Sequence, residues 1–127
     1  MKFLLIALGG SIGALLRYGI SGLPHRYTDT IFPLGTLGVN LIGALLIGIL
    51  WGTFERVDIA PDVRTFLFIG ILGAFTTFST YSLESMNLLR DGEIKLALLN
   101  ILANNAGCIA LVFIGFIIAR TVANLVK

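Results

Sequence analysis

The chain has 127 residues, of which 57% are hydrophobic and 13% are charged, and its mean hydropathy is +0.97. A soluble domain carries about 25% charged residues, and a small domain buries too little surface to hide so many apolar side chains. We therefore expect an integral membrane protein in contact with lipid. The net charge of +2 does not indicate a nucleic-acid partner.

Apolar runs predict an all-α fold of four membrane-spanning helices in a single domain, residues 1–127. A spanning helix needs roughly 20 apolar residues. The first span is predicted over 3–20 and the second over 35–54, with a loop between Pro24 and Pro33. The third is predicted over 63–89 after Pro61, and the fourth over 94–122 after the turn at Asp91-Gly92. These spans leave no room for a catalytic domain, so we do not expect an enzyme.

Basic residues are divided almost equally between the two sides of the membrane. The side that holds the termini takes Lys2, Arg56, Arg64, Arg120 and Lys127, and the other side takes Arg17, Arg26, Arg90 and Lys95. An excess of Lys and Arg on cytoplasmic loops normally sets the orientation. The balance is compatible with copies that insert both ways and pair antiparallel, and equally with a weak bias towards one orientation.

The third span contains the most unusual segment, GILGAFTTFSTYSLE, at residues 70–84. Hydroxyl groups cluster at mid-membrane depth with two aromatic rings among them, and an interrupted helix there would expose carbonyls at one end and amides at the other. Hydroxyls and ring edges are weak donors without full charge, which suits an anion that must bind and then leave. A continuous helix with Ser and Thr bonded to its own backbone is the alternative. The residues concerned are Thr76, Thr77, Phe78, Ser79, Thr80, Tyr81 and Ser82.

Asparagines lie inside two other spans. Asn40 lies within GTLGVNLIG of the second span, while Asn100, Asn104 and Cys108 form one stripe on the fourth. An unpaired amide in hydrocarbon costs several kcal/mol. These amides therefore predict either hydrogen bonds between helices or one wall of a polar track. Recurrent glycines in the first three spans predict close helix packing.

Two charged residues lie near the ends of spans. Arg17 is about 22 Å along the first helix from Lys2, so it either extends to the interface or supplies positive potential in a vestibule that collects anions. Glu84 lies roughly 9 Å from the helix end at Arg90. It either faces a vestibule or reaches the interface.

Three motifs together resemble the Fluc/CrcB fluoride channels: GSIGALLRY at 10–18, GTLGVNLIG at 35–43 and GILGAFTTFSTYSLE at 70–84. The resemblance covers nearly the whole chain. It implies a dual-topology antiparallel homodimer with two pores, in which the third helix is broken and a structural Na⁺ lies at the dimer centre. The matching positions for its backbone-carbonyl ligands are Gly73 and Thr76.

The same resemblance implies roles for individual residues. Asn40 is expected to donate to the ion, and the rings of Phe78 and Tyr81 to line the pore, although Tyr81 departs from the family's usual phenylalanine. The other matching positions are a polar track, Ser79, Thr80 and Ser82, and two vestibule charges, Arg17 and Glu84. In the fourth span the family more often has hydroxyls or tyrosine where this chain has Asn100, Asn104 and Cys108, and we include Asn104 among the pore residues.

The function implied is a passive fluoride channel in the cell membrane that exports fluoride and protects against its toxicity. The partners implied are the fluoride ion, membrane lipid and a second copy of the chain. A proton-coupled or small-drug transporter is the rival, because four-span dual-topology dimers also occur in that class. It needs a titratable carboxylate at mid-membrane, and Glu84 is the candidate.

Overall fold

A computed structural model describes all 127 residues, and it is helical apart from the connecting segments, the chain ends and a short interruption within the third span. Four helical segments are long and apolar enough to cross a membrane. The first span is Lys2–Ser21, followed by a short helix, Pro24–Tyr27, and the second span is Leu34–Phe54. The third span runs over Pro61–Arg90 and the fourth is Ile94–Leu125. Prolines begin two of the helical segments, because proline lacks an amide hydrogen and its φ suits the first helical position.

The third span is the irregular one. It begins as an α-helix at Pro61–Arg64, continues as a π-helix over Thr65–Leu72 and returns to α-helical geometry at Gly73–Phe75. Thr76 and Thr77 are extended, with φ/ψ of −86°/157° and −148°/118°. The last segment, Phe78–Arg90, begins with a cap, since Oγ1 of Thr77 accepts a hydrogen bond from the amide of Thr80 at 3.2 Å.

Most of the chain faces outward. Only 24 of the 127 residues are buried, so the majority of the apolar side chains lie on the surface. Examples are Phe3, Leu15 and Phe113, each more than 60% exposed. Such a surface needs lipid around it.

Two pairs of helices pack backbone against backbone. The first span packs on the third, where a Cβ on Gly9 would lie 2.9 Å from Cα of Gly70. The second span packs on the fourth, where a Cβ on Gly48 would overlap the carbonyl oxygen of Val112. The prediction that glycines permit close packing therefore holds at these contacts. At Gly10 and Gly38 an added Cβ would meet no atom of the chain within 4 Å, so the packing within the chain gives no reason for a glycine there.

Candidate functional site

The buried side chain of Asn40 binds both backbone groups of Thr77. Its Oδ1 accepts a hydrogen bond from the amide of Thr77 at 2.8 Å, and its Nδ2 donates to the carbonyl of the same residue at 3.0 Å. The second span thus satisfies the backbone where the third span is extended. An unsatisfied backbone group in lipid costs several kcal/mol, so this pair of bonds makes the irregular backbone tolerable at membrane depth.

A row of hydrogen bonds runs from Asn40 of the second span to two asparagines of the fourth span, and from there to the third span. Nδ2 of Asn40 donates to Oδ1 of Asn104 at 2.9 Å, and Nδ2 of Asn104 donates to Oδ1 of Asn100 at 2.9 Å. Nδ2 of Asn100 then donates to Oγ of Ser85 at 2.9 Å, and that hydroxyl donates to the carbonyl of Tyr81 at 2.9 Å. All four side chains of the row are buried. Each amide is polarised by its neighbour in the same direction.

The row uses every amide hydrogen of Asn40. One is donated to the carbonyl of Thr77 and the other to Asn104. An ion that accepts a hydrogen bond from Asn40 must therefore replace one of these acceptors. That Asn40 donates a hydrogen bond to the ion stays a prediction, and it requires that Asn40 give up its bond to Thr77 or to Asn104.

A cavity of about 360 Å³ opens beside the extended residues. We call it the ring cavity, because Phe78 and Tyr81 line it with their rings 5.0 Å apart at 73°. Phe78 is 72% exposed and Tyr81 is 6% exposed, so the two rings meet the cavity differently. Other lining residues are Asn40, Gly73, Thr76, Asn104, Asn105 and Cys108, and no carboxylate is among the lining residues.

A second cavity, of about 370 Å³, lies against the first span. We call it the arginine cavity, and its polar lining residues are Arg17, Tyr18, Ser21, Thr36, Thr77 and Thr80. Thr77 lines both cavities, so they lie on either side of the extended stretch. The guanidinium of Arg17 gives the arginine cavity a positive charge, which attracts anions. The carboxylate of Glu84 contacts the lining residue Thr36 but does not itself line the cavity.

The remaining predicted polar residues, Glu84, Ser79 and Ser82, do not line either cavity. Glu84 lies beside the arginine cavity, where its Oε1 accepts a hydrogen bond from Oγ1 of Thr36. Oγ of Ser79 lies 3.4 Å from Oγ1 of Thr77. The hydroxyl of Ser82 donates to the carbonyl of Phe78 at 2.8 Å, as the alternative of Ser and Thr bonded to their own helix anticipates.

The backbone before Phe78 leaves carbonyl groups free. The amide of Thr77 would close the next α-helical turn onto the carbonyl of Gly73, but it donates to Asn40 instead. No backbone amide donates to the carbonyl of Thr76. Free peptide oxygens are hard ligands, so the chemistry of this stretch is compatible with a hard cation such as Na⁺.

Three contributing residues are not among those predicted. Thr36 lies four residues before Asn40, a helical spacing that places both on one face. Ser85 lies four residues after Tyr81, and this spacing likewise places the two on one face of their helix. Asn105 lies beside the predicted stripe, and its Nδ2 donates to Oη of Tyr81 at 2.8 Å. Thr36 and Ser85 could be assigned to the site from their spacing in the sequence. The contact of Asn105 with Tyr81 could not, because it depends on how the third and fourth spans are rotated relative to each other.

The amino-acid sequence also relates this chain to known proteins. The family described as CrcB-like protein, Camphor Resistance (CrcB), matches residues 4–116. A fluoride-specific ion channel, FluC, of Parabacteroides distasonis is 42% identical over 127 residues, which are 100% of this chain and 99% of that protein. FluC of Thermococcus kodakarensis is 53% identical over 116 residues, covering 91% of this chain and 93% of its own. FluC of Pyrococcus horikoshii is 50% identical over 117 residues, covering 91% and 94%.

These matches extend over all four spans, and they include the asparagine-bound extended stretch of the third. The apolar side chains on the outside of the helices are those expected of a protein surrounded by lipid. The chain is a multi-pass membrane protein that belongs to the CrcB family.

Proposed function

We propose that this protein is a passive channel selective for fluoride. The observation that carries the proposal is that two cavities without a carboxylate in their lining share Thr77, whose backbone is extended and has uncharged donors and aromatic rings near it. Relatives that are 42% to 53% identical are named fluoride-specific ion channels. The family and the chemistry of the cavities thus support the same substrate. Neither gives a reason to expect catalysis.

The permeating ion would exchange its water for weak donors. It would enter from the arginine cavity, where Arg17 raises the local anion concentration, and pass Thr80 and Thr77. In the ring cavity the positive ring edges of Phe78 and Tyr81 would lie beside it. Since no full positive charge lines the ring cavity, the ion can bind there and still leave.

The direction of flow follows from the membrane potential. A negative cell interior drives an anion outward by about 2.3 kcal/mol per charge per 100 mV. Fluoride enters cells as the neutral acid and is trapped after ionisation, so a passive channel in the cell membrane is enough to expel it. The protein would therefore protect against fluoride toxicity without consuming ATP.

We also propose an antiparallel, dual-topology homodimer. The almost equal division of basic residues, five against four, supports insertion in both orientations. Phe78 and the amide of Asn105 are exposed on the single chain although both border the ring cavity. A second copy would cover them and close the cavity into a pore. In this dimer the broken third helix of each copy would meet its partner at the centre.

A structural Na⁺ would lie where the two copies meet. Gly73 and Thr76 would bind it through their backbone carbonyls, since Thr77 donates to Asn40 and no amide donates to Thr76. A bound cation would supply positive potential near the ion path without placing Lys or Arg in the ring cavity.

Fluoride efflux from liposomes tests the channel directly. Purified protein is reconstituted in vesicles loaded with potassium fluoride, and efflux is measured with a fluoride electrode after a potassium ionophore is added. We expect rapid efflux that depends on the ionophore, because net anion flow needs a compensating cation. Vesicles loaded with potassium chloride provide the selectivity control. Absence of ionophore-dependent fluoride efflux would contradict the proposal.

Glu84→Gln separates the channel from a proton-coupled transporter. The glutamine retains an oxygen that can accept from Thr36 but cannot carry a proton. We expect this variant to keep fluoride efflux in the absence of a pH gradient. Fluoride movement that requires a pH gradient in the parent protein and disappears in Glu84→Gln would favour the transporter.

A further inference from the structure

The hydroxyl of Tyr81 is unusual among the polar groups of the ring cavity. Its oxygen accepts a hydrogen bond from Nδ2 of Asn105 at 2.8 Å, yet the hydroxyl donates to no group of the chain. The residue is 6% exposed and lines the ring cavity. A buried tyrosine hydroxyl normally finds a hydrogen-bond partner. Here only its acceptor side has one.

The neighbouring carbonyl of Ile101 determines which way the Asn105 amide points. Nδ2 of Asn105 donates one hydrogen to this carbonyl at 2.9 Å and the other to Tyr81. If the amide were turned round, Oδ1 would face the Ile101 carbonyl and two acceptors would be opposed. Asn105 must therefore donate to Tyr81. It follows that Tyr81 cannot donate to Asn105, and its proton remains available to the cavity.

We propose that the Tyr81 hydroxyl donates a hydrogen bond to the permeating anion, and that Asn105 is the positioning residue that keeps this proton free. The inference rests on the proposed fluoride channel and names a donor within it. Phenylalanine at this position would offer the weak positive edge of a ring. Tyrosine adds a real O–H donor, and a hydrogen bond to an anion is about twice as strong as one between neutral groups.

The Asn105 bond also makes the donor stronger. A hydroxyl whose oxygen already accepts a hydrogen bond is polarised and donates more readily. Asn105 is anchored to its own helix through Ile101, so the hydroxyl oxygen is held against the fourth span. The alternative is that the Tyr81–Asn105 bond only holds two helices together. In that case removal of the hydroxyl would change stability and leave ion binding unaltered.

Tyr81→Phe removes the hydroxyl and keeps the ring. In the reconstituted channel we expect the fluoride concentration that gives half-maximal current to rise about tenfold, since a hydrogen bond to a charged group is lost. Tyr27→Phe deletes the same atom from a residue that is 83% exposed and lines neither cavity, and its half-saturation should equal that of the parent. An unchanged half-saturation in Tyr81→Phe would overturn the inference.

Asn105→Leu tests the positioning role through a double-mutant cycle. Alone, this variant should raise the half-saturation, because Tyr81 can then turn its proton towards the fourth span. In the Tyr81→Phe background it should add nothing, since the group through which it acts is gone. An equal rise in both backgrounds would overturn the assignment of Asn105. A parent protein that conducts no fluoride would instead contradict the proposed function, so the two failures are distinguishable.

Discussion

Asn100 donates from Nδ2 to Oγ of Ser85 at 2.9 Å, and the two side chains are 1% and 6% exposed. This bond joins the fourth span to the third away from both cavities. It also fixes the orientation of Asn100, whose Oδ1 then accepts from Asn104. The position of the amides next to the extended stretch thus depends on a contact that touches neither cavity.

Asn100→Leu should lower the stability of the protein. It removes the acceptor of Asn104 and the donor to Ser85, and leaving buried polar groups unpaired costs about 1–3 kcal/mol. The loss is measured as a lower midpoint of denaturation in detergent. Asn87→Leu, at an exposed position of the third span where the side chain makes no hydrogen bond within the chain, is the control and should change the midpoint little. Equal midpoints for the two variants would contradict the structural role of Asn100.

Asn40→Ala should nearly abolish fluoride efflux. The substitution leaves the amide and the carbonyl of Thr77 without partners, so the extended stretch is no longer held. We expect efflux to fall at least about tenfold, because leaving even one of these two buried groups unpaired costs about 1–3 kcal/mol. The measurement is efflux per amount of reconstituted protein. Asn87→Ala, at an exposed position, serves as the control. Parental efflux from Asn40→Ala would show that the two hydrogen bonds between Asn40 and Thr77 are dispensable for conduction.

Gly13→Ala and Gly10→Ala place the same methyl group on the first span, but only the methyl group at Gly13 would meet another helix. A Cβ on Gly13 would overlap the carbonyl of Ile71 in the third span, whereas a Cβ on Gly10 meets nothing within 4 Å. We expect Gly13→Ala to destabilise the protein by about 1–3 kcal/mol through overpacking. Gly10→Ala should fold normally. Size-exclusion chromatography and thermal aggregation in detergent compare the two, and similar behaviour would argue against the close contact of these spans.

Cys108 provides a chemical test of the ring cavity. It is the single cysteine of the chain, it is half-buried, and it lines that cavity. If ions pass through the cavity, attachment of a methanethiosulfonate group at Cys108 should remove most of the fluoride efflux by steric obstruction. Cys108→Ala should conduct and be insensitive to the reagent. Full efflux after labelling confirmed by mass spectrometry would place the ion path elsewhere.

The apolar runs of the sequence coincide with helices of the structure. The predicted range 35–54 differs by one residue from the helix Leu34–Phe54, and 94–122 begins where Ile94–Leu125 begins. These ends are readable because each apolar run stops at Pro, Gly or charged residues. The π-helical geometry of Thr65–Leu72 could not be predicted, since its apolar sequence has no local signal and its form depends on packing against the first span.

The site was predictable as a set of residue types and not as a set of contacts. Asn40 and Asn104 were expected in polar surroundings, and they are hydrogen-bonded to each other. That Asn40 binds the backbone of Thr77 depends on the relative height of two helices, which no spacing within either helix reveals. The roles of the predicted residues in binding fluoride or Na⁺ stay predictions until flux and ion binding are measured.

The π-helical stretch decides how the third span responds to the loss of a residue. A π-helix closes its hydrogen bonds one residue later than an α-helix, so each π-helical turn holds a residue that an α-helical turn would not. Loss of one residue within Thr65–Leu72 would let that stretch return to α-helical geometry, and the segment after it would keep nearly the same orientation. Loss of one residue from the α-helical Gly73–Phe75 would instead turn Phe78 and Tyr81 by about 100° about the axis, away from the cavity they share. A single deletion should therefore be tolerated better within the π-helical stretch than directly after it.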